Sequence, residues 1–413
     1  MTRLACLYVS IVTAASLAAC TGARDTELDD RGVDSLIDAT EPAPGDEPAA
    51  EDRRGSEDGK GGSSGGSKGG SGSSSGGTGG CKNQDGVDHD GDGLSYLAGD
   101  CNDCDANIRP GKIDVPGNGV DEDCSGKADD DATCDASLAL ASGDPLDGAR
   151  ALGVCRALKG GDPGWGVVSA KYVKPDGSPL ADPIGYGILD AFGPNKPGFG
   201  QRMLALSSGA ARAPGQPGWA APSGKDKGYT HGTPAGWPKP SPACPGVTPS
   251  ANAHDGAALQ LTVKVPVDAH AMSFEHLLFA ADFSSDVCSK YNDGFVVIMS
   301  PPPAGAIDGN IVFDALGGPI GPSSALFQVC TPGTYDGITF ACGQGNAALQ
   351  GTGFEDHGAT GWLRTTVPVE PGSTISLLFA VWDSGDGTFD TTVLLDSLRF
   401  WAQPVAKVQT VAK

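Results

Sequence analysis

The chain has 413 residues, enough for two or three domains, and its 51 acidic residues outweigh 28 basic ones to leave a net charge of −23. That balance excludes a nucleic-acid partner, because displacing the counterions of a phosphate backbone needs Lys and Arg. It fits a soluble chain working in calcium-rich surroundings outside the cell.

At the N-terminus, Arg3 precedes the apolar run LACLYVSIVTAASLAA, which is too short and too rich in small residues for a membrane span. The run leads into LAAC, residues 17–20. These four residues resemble the lipobox of bacterial lipoproteins, where cleavage leaves the Cys as an acylated first residue. The resemblance implies a signal over residues 1–20, a lipid on Cys20, and the membrane as a partner through that lipid. Each buried CH₂ of such a lipid contributes about 0.8 kcal/mol. A plain secretory signal with an incidental Cys is the alternative. Thr21, not Asp, follows Cys20, and the lipoprotein sorting pattern of enteric bacteria then favours the outer membrane or cell surface.

Residues 21–80 carry no apolar period. They begin acidic and Pro/Ala-rich and end in the tract GKGGSSGGSKGGSGSSSGGTGG. Nothing apolar there offsets the entropy of ordering, so a disordered tether is expected, with an r.m.s. span of roughly 45 Å.

Residues 81–131 form an Asp- and Cys-rich module. Asp88, Asp90 and Asp92 alternate, and Gly93 follows. Alternate oxygen ligands, a Gly for the sharp turn and then a backbone carbonyl, here that of Leu94, make the first half of a calcium loop. The second half departs from an EF-hand: the twelfth position is Gly99, and no flanking helices are visible. Asp100, Asp103 and Asp105 follow and are expected to close the shell. Without a cation, so many close carboxylates repel one another; the alternative is a solvated acidic loop.

The stretch DGDGLSYLAGDCNDCDANIRPGKIDVPGNGVDEDCSG also resembles the metal-binding motif of the MopE-like family, over about 45 residues. The family name is tied to copper. The hard aspartate oxygens suit Ca²⁺ better, and a single His89 in the first loop reads as an outward-pointing position. Asn118, Asp121 and Asp123 look like a second cluster. The family pattern implies a Cys101–Cys124 disulfide. Cys81 and Cys104 are extra to the common form and are paired with each other by a weaker inference.

Residues 132–403 turn globular. The stretches 259–267, 294–300, 309–316, 373–382 and 391–401 are rich in β-branched and aromatic residues and are bounded by Gly, Pro and Asp clusters. They predict a mainly β fold, an antiparallel, jelly-roll-like β-sandwich, with one short helix within 144–158 and a tail at 404–413. Segments such as WGVVSAKYVKPDG, SFEHLLFAADFSSDVCSKYNDGFVVIMS and GWLRTTVPVEPGSTISLLFAVWDSGDGTFDTTVLLDSLRFW resemble the choice-of-anchor L domain. That resemblance implies a secreted or surface setting and carries no activity. The last segment reads as a hairpin-like pair of strands around an acidic turn holding Asp383, Asp386 and Asp390. The turn is either a second cation site or a set of Asp side chains capping their own backbone. Asn292 and Asp293, in the loop CSKYNDGF, have the same two readings.

The chain has 12 cysteines; Cys6 lies in the signal and Cys20 is expected to be acylated, which leaves an even number for an exported protein. Cys330 and Cys342 flank a short segment, Cys134–Cys155 would tie the helix to the start of the domain, and Cys244–Cys288 is left by elimination. No HExxH, GxSxG or Walker pattern appears, and the six histidines are scattered, so no enzyme is expected. Glu275 and His276 are adjacent on a predicted strand and so face opposite ways. The expected function is a lipid-anchored, calcium-binding surface protein whose head binds an extracellular polysaccharide or protein. The alternatives are a secreted glycan hydrolase and a passive coat or spacer. Among the tryptophans, Trp382 and Trp401 read as core, while Trp165, Trp219, Trp237 and Trp362 are left as candidates for stacking on sugars.

Overall fold

The computed structural model describes residues 84–129, 134–223 and 226–413. Cys20, the tether and Cys81 lie outside these residues. In chain order the strands are β1 (Gly166–Val173), β2 (Tyr186–Leu189), β3 (Met203–Ser207), β4 (Thr230–His231), β5 (Ala253–Lys264), β6 (Ala271–Ala280), β7 (Gly294–Ser300), β8 (Gly333–Tyr335), β9 (Ile338–Phe340), β10 (Gly358–Ala359), β11 (Leu363–Pro368), β12 (Thr374–Ser384), β13 (Thr391–Trp401) and β14 (Gln409–Ala412). Among the described residues they form two large antiparallel sheets. The first has the order β1-β5-β12-β7, with β4 beside β5. The second runs β14-β11-β6-β13-β3-β2, with β10 beside β6. The pair β8-β9 stands alone as a small ribbon.

The core forms where the inner faces of the sheets meet. Leu259, Leu261 and Val263 of β5, Leu377, Phe379 and Val381 of β12 and Phe295 and Val297 of β7 come from the first sheet. Met272, Phe274 and Leu278 of β6 and Val393 and Leu395 of β13 come from the second. Each set recurs with period two, as a strand with one face inward requires. The outer faces are also partly covered. Leu277, Phe279 and Leu394 pack with Phe192, Leu349 and Phe354 on the far side of the second sheet. Val296, Ala380 and Trp382 pack under Trp237 on the far side of the first. A strand covered on both faces reads as a continuous apolar run, and β6 is buried at all ten positions.

Four expectations change. The strands β12 and β13 are not hairpin partners: β12 pairs with β5 and β7, and β13 with β6 and β3. The acidic turn between them therefore crosses from one sheet to the other. Residues 309–316 form no strand. The Asn310 side chain accepts from Val297 N and Val312 N and donates to Val312 O, which folds the segment on itself. At the C-terminus, residues 409–412 pair with β11 as an edge strand. Trp382 is fully buried, but Trp401 is only half-buried and donates Nε1–H to Ser273 Oγ.

The helix α1 (Pro145–Leu152) starts on an Asp144 cap that accepts from Leu146 N and ends at Gly153, whose φ of 113° is left-handed. A Cβ at Gly153 would lie 3.1 Å from Leu398 O, so the end of the helix also needs the missing side chain for close packing. Among the described residues no helix is long and apolar enough to cross a membrane.

His276 sits in the inward row of β6, with its ring between Phe274 and Phe295. Its Nε2 bonds Thr365 Oγ1 at 3.0 Å, and Nδ1 has no partner. Burial pushes its pKa down to about 3 from 6.5, so the folded protein holds a neutral imidazole. A depressed His favours folding fully above its unfolded pKa and loses that contribution as pH falls. Stability in chelator should therefore fall as pH drops below about 6.5, by roughly 4 kcal/mol down to pH 3 from this group alone. Urea melts across that range should show a shallower slope for His276→Gln.

Candidate metal centre

The acidic module is a loop-rich segment with little apolar content, and turn chemistry shapes it. Asp88 accepts from Gly91 N at 2.7 Å and Gly93 N at 2.9 Å, which folds the first loop around its carboxylate. Gly91 and Gly93 sit at φ of 81° and 98°, a region open to Gly without strain. Asp92 N donates to Asp90 Oδ1, Leu94 N to Asp92 Oδ1 and Asn102 N to Asp100 Oδ1. His89 N donates to Asp103 Oδ1 at 2.9 Å and so ties the first loop to the second. The Cys101–Cys124 disulfide closes the module. Cys104 is disulfide-bonded as well; the partner expected for it, Cys81, lies outside the described residues.

One oxygen of each of these Asp turns is thus committed to the backbone, and the other is left over. Asp90, Asp92, Asp100 and Asp103 each keep a buried Oδ2 with no hydrogen-bond partner. Asp100 and Asp103 are fully buried. The carboxylates fall into groups whose ligand atoms lie within 4.8 Å of one another: Asp88, Asp90 and Asp92 in one, Asp90, Asp100 and Asp103 in the next. Asp90 belongs to both. A buried carboxylate oxygen without a donor is costly. Four of them, in two adjoining groups that share Asp90, make a candidate site for a cation.

The electrostatics agree. Loss of water, with the neighbouring carboxylates adding to it, pushes Asp100 above the usual carboxylate range, and burial does the same to Asp92. The backbone N–H groups of Gly91 and Gly93 pull Asp88 below it. The cationic side chain nearest Asp92 is Arg109, whose Nε stays 3.9 Å from Asp92 Oδ2 while its Nη1 donates to Asp92 O. One guanidinium held at that distance leaves most of the charge on four acids uncompensated.

Some expected members fall outside this group. Asp105 is exposed and accepts from Asn107 N and Nδ2, capping its own turn. Asp121 accepts from Ser125 N and Gly126 N, and Asp123 from Ser125 N and Arg156 Nη1. Asn118 turns its amide to Glu122 Oε1 and accepts from Val120 N. The second expected cluster is therefore spent on holding turns and on an ion pair. That ion pair, Asp123 with Arg156 at 3.2 Å, joins the module to the sandwich. Val267 N also donates to Gly111 O at 2.7 Å, and Ile113 packs on the core. Leu94 enters the site through its N–H. In the head, Asp386 is an exposed turn cap for Thr388, whereas Asp383 and Asp390 are buried.

Sequence reasoning missed one group. Asp85 Oδ1 lies 3.0 Å from His89 Nε2, and the two form a third set with Asp103. The Asp85-Gly86 pair repeats the turn chemistry of the loop that follows, which is the signal that could have found it. Further disulfides among the described residues are Cys134–Cys155, Cys244–Cys288 and Cys330–Cys342.

A family model, Cu-binding MopE, described as "putative metal-binding motif", matches residues 100–130. The chain carries that motif, and Asp100 and Asp103 lie inside the match. Among solved structures, the chain is similar to the K1 cleaved adhesin domain of Lys-gingipain from Porphyromonas gingivalis W83, at 11% identity and a TM-score of 0.25. The likeness covers 58% of this chain and 94% of that one, and at this level it carries no argument. No curated protein matches the chain.

Asp100→Asn or Asp103→Asn should weaken metal binding by about tenfold or more. Asp105→Asn and Asp121→Asn should leave it nearly unchanged. Titration calorimetry on the four variants separates the buried group from the turn caps.

Proposed function

We propose that this is an exported surface protein, anchored by a lipid on Cys20, whose acidic module binds calcium and whose sandwich head binds a ligand outside the cell. The observation that carries the metal reading is the set of four buried, donor-less aspartate oxygens in two adjoining groups that share Asp90. Calcium is favoured over copper because these four donors are all hard oxygens, and His89, which forms a further set with Asp85 and Asp103, is a single nitrogen among many carboxylates. The bound cation supplies charge and rigidity. The chain's own residues supply the rest: backbone N–H groups aim the carboxylates, and Arg156 and Gly111 fasten the module to the head.

For the head, a polysaccharide or matrix protein is the proposed ligand class, with binding rather than catalysis as its role. The support is the disulfide-bonded β-sandwich, a chain that carries no recognisable catalytic motif, and the exposed ring of Trp219. Calcium titration of the full chain should give micromolar-to-millimolar binding, and excess chelator should lower the melting temperature by several degrees. Binding of Cu²⁺ with no heat from Ca²⁺ would overturn the calcium assignment. Cys20→Ala should shift the protein from the membrane fraction to the soluble fraction and abolish palmitate labelling. Turnover of a glycan by the purified chain would replace the binding role with a hydrolytic one.

A further inference from the structure

A second concentration of buried acid lies in the sandwich, well apart in sequence from the module. Asp282 follows β6, Asp293 precedes β7 and Asp383 lies near the end of β12. The loop after β6 and the crossing from β12 to β13 bring these positions to one end of the sandwich. All three are at most 4% exposed. Asp293 N donates to Asp282 Oδ2 at 3.2 Å, and the two carboxyl groups abut. Asp293 in turn abuts Asp383. The three stand in a row: Asp282, Asp293, Asp383.

Their hydrogen bonding is lopsided. Asp293 accepts from Ser384 N at 3.0 Å and from Thr391 Oγ1 at 2.7 Å, which fixes its carboxylate between the two sheets. Asp383 is 1% exposed, and neither of its oxygens has a hydrogen-bond partner. The Ser208 hydroxyl lies beside it but donates to Thr391 O and accepts from Thr391 N. The Lys227 charge acts on Asp383 and is shared with Asp255 and Asp390, and its Nζ donates to Ser207 O at 3.1 Å. His254 lies across from Asp383 on β5 but meets Asn252 instead. A fully buried carboxylate that accepts no well-formed hydrogen bond and lies against the buried Asp293 carboxyl needs either protons or a cation beyond the one Lys227 charge.

We infer that the head holds its own divalent cation, bridged by Asp293 and Asp383 with Asp282 behind them. The donor set is all oxygen, so the ion is of the hard class, Ca²⁺ before a transition metal. Because the acids form a row, the ion takes ligands from neighbouring carboxylates in turn and fills its shell with water or backbone carbonyls. Its position ties the β6–β7 loop to the crossing between the sheets, so it acts as a clamp on that end of the head.

Trp382 provides a local reporter. Its ring packs over Gly294, where a Cβ would come 2.2 Å from Cζ2, and it is the neighbour of Asp383. The module between residues 84 and 129 contains no Trp. The experiment starts from the full chain with Asp90→Asn, Asp100→Asn and Asp103→Asn, which disables the module. In that background, Tb³⁺ should give saturable Trp-excited emission, with one ion per chain, displaced by excess Ca²⁺. Ca²⁺ should still raise the melting temperature. Asp383→Asn or Asp293→Asn should cut the emission by about tenfold, with unchanged near-ultraviolet circular dichroism as the check on folding. Asp282→Asn, on the outer end of the row, serves if either of those fails to fold and should also weaken the emission. If the background chain gives no saturable emission and melts identically in Ca²⁺ and chelator, the acids share protons and the inference falls. The two sites fail separately. Equal stoichiometry for the unmodified and background chains removes the module site, and loss of all binding in the background chain removes the head site.

Discussion

Carboxylate oxygens taken out of water without a donor are the constraint that organises this protein. Asp90, Asp92, Asp100 and Asp103 each use one oxygen to hold the backbone, which is the cheap half of the arrangement. The other oxygen is turned inward, where neither solvent nor an N–H group reaches it. Four such oxygens repel one another, and a single guanidinium at 3.9 Å does not balance them. The fold of the module makes physical sense as the shell of a cation, and its disulfides and its ion pair with Arg156 hold that shell together.

The sandwich has a different basis of stability. Its two sheets bury alternate residues against each other, and loops cover much of the outer faces. The crossing from β12 to β13 is the pivotal connection. It carries the chain from the centre of one sheet to the centre of the other, so the acidic turn lies at the edge of the core. Placing Asp383 there leaves it buried beside Asp293, in a setting unlike that of Asp386 three residues later.

Much of this was legible beforehand. Alternation and turn residues located β5, β7, β12 and β13, and the antiparallel sandwich followed from them. The alternate aspartates pointed to the loop in which Asp88, Asp90 and Asp92 come together, because their spacing is itself the turn geometry. Local patterns failed where a partner distant in the chain decided the outcome. The apolar run at 309–316 looked like a strand, but the Asn310 side chain took over the backbone bonds a strand would have used. The strands β12 and β13 looked like a hairpin because a short acidic turn joins them, whereas strand pairing is settled by which faces must be buried. Asp121 and Asp123 have the residue type of ligands, and the folded chain gives them hydrogen bonds from local N–H groups and, for Asp123, an ion pair with Arg156.

The sequence by itself determined the class of fold, the place of the acidic module and the oxygen chemistry of its side chains. Those depend on local spacing and on residue type. Only the tertiary structure decided which acids are buried without a donor and which are ordinary turn caps. It alone brought Asp282, Asp293 and Asp383 together from three separate segments. Burial and unmet hydrogen-bonding capacity are properties of the packed interior, and no local stretch of sequence contains them.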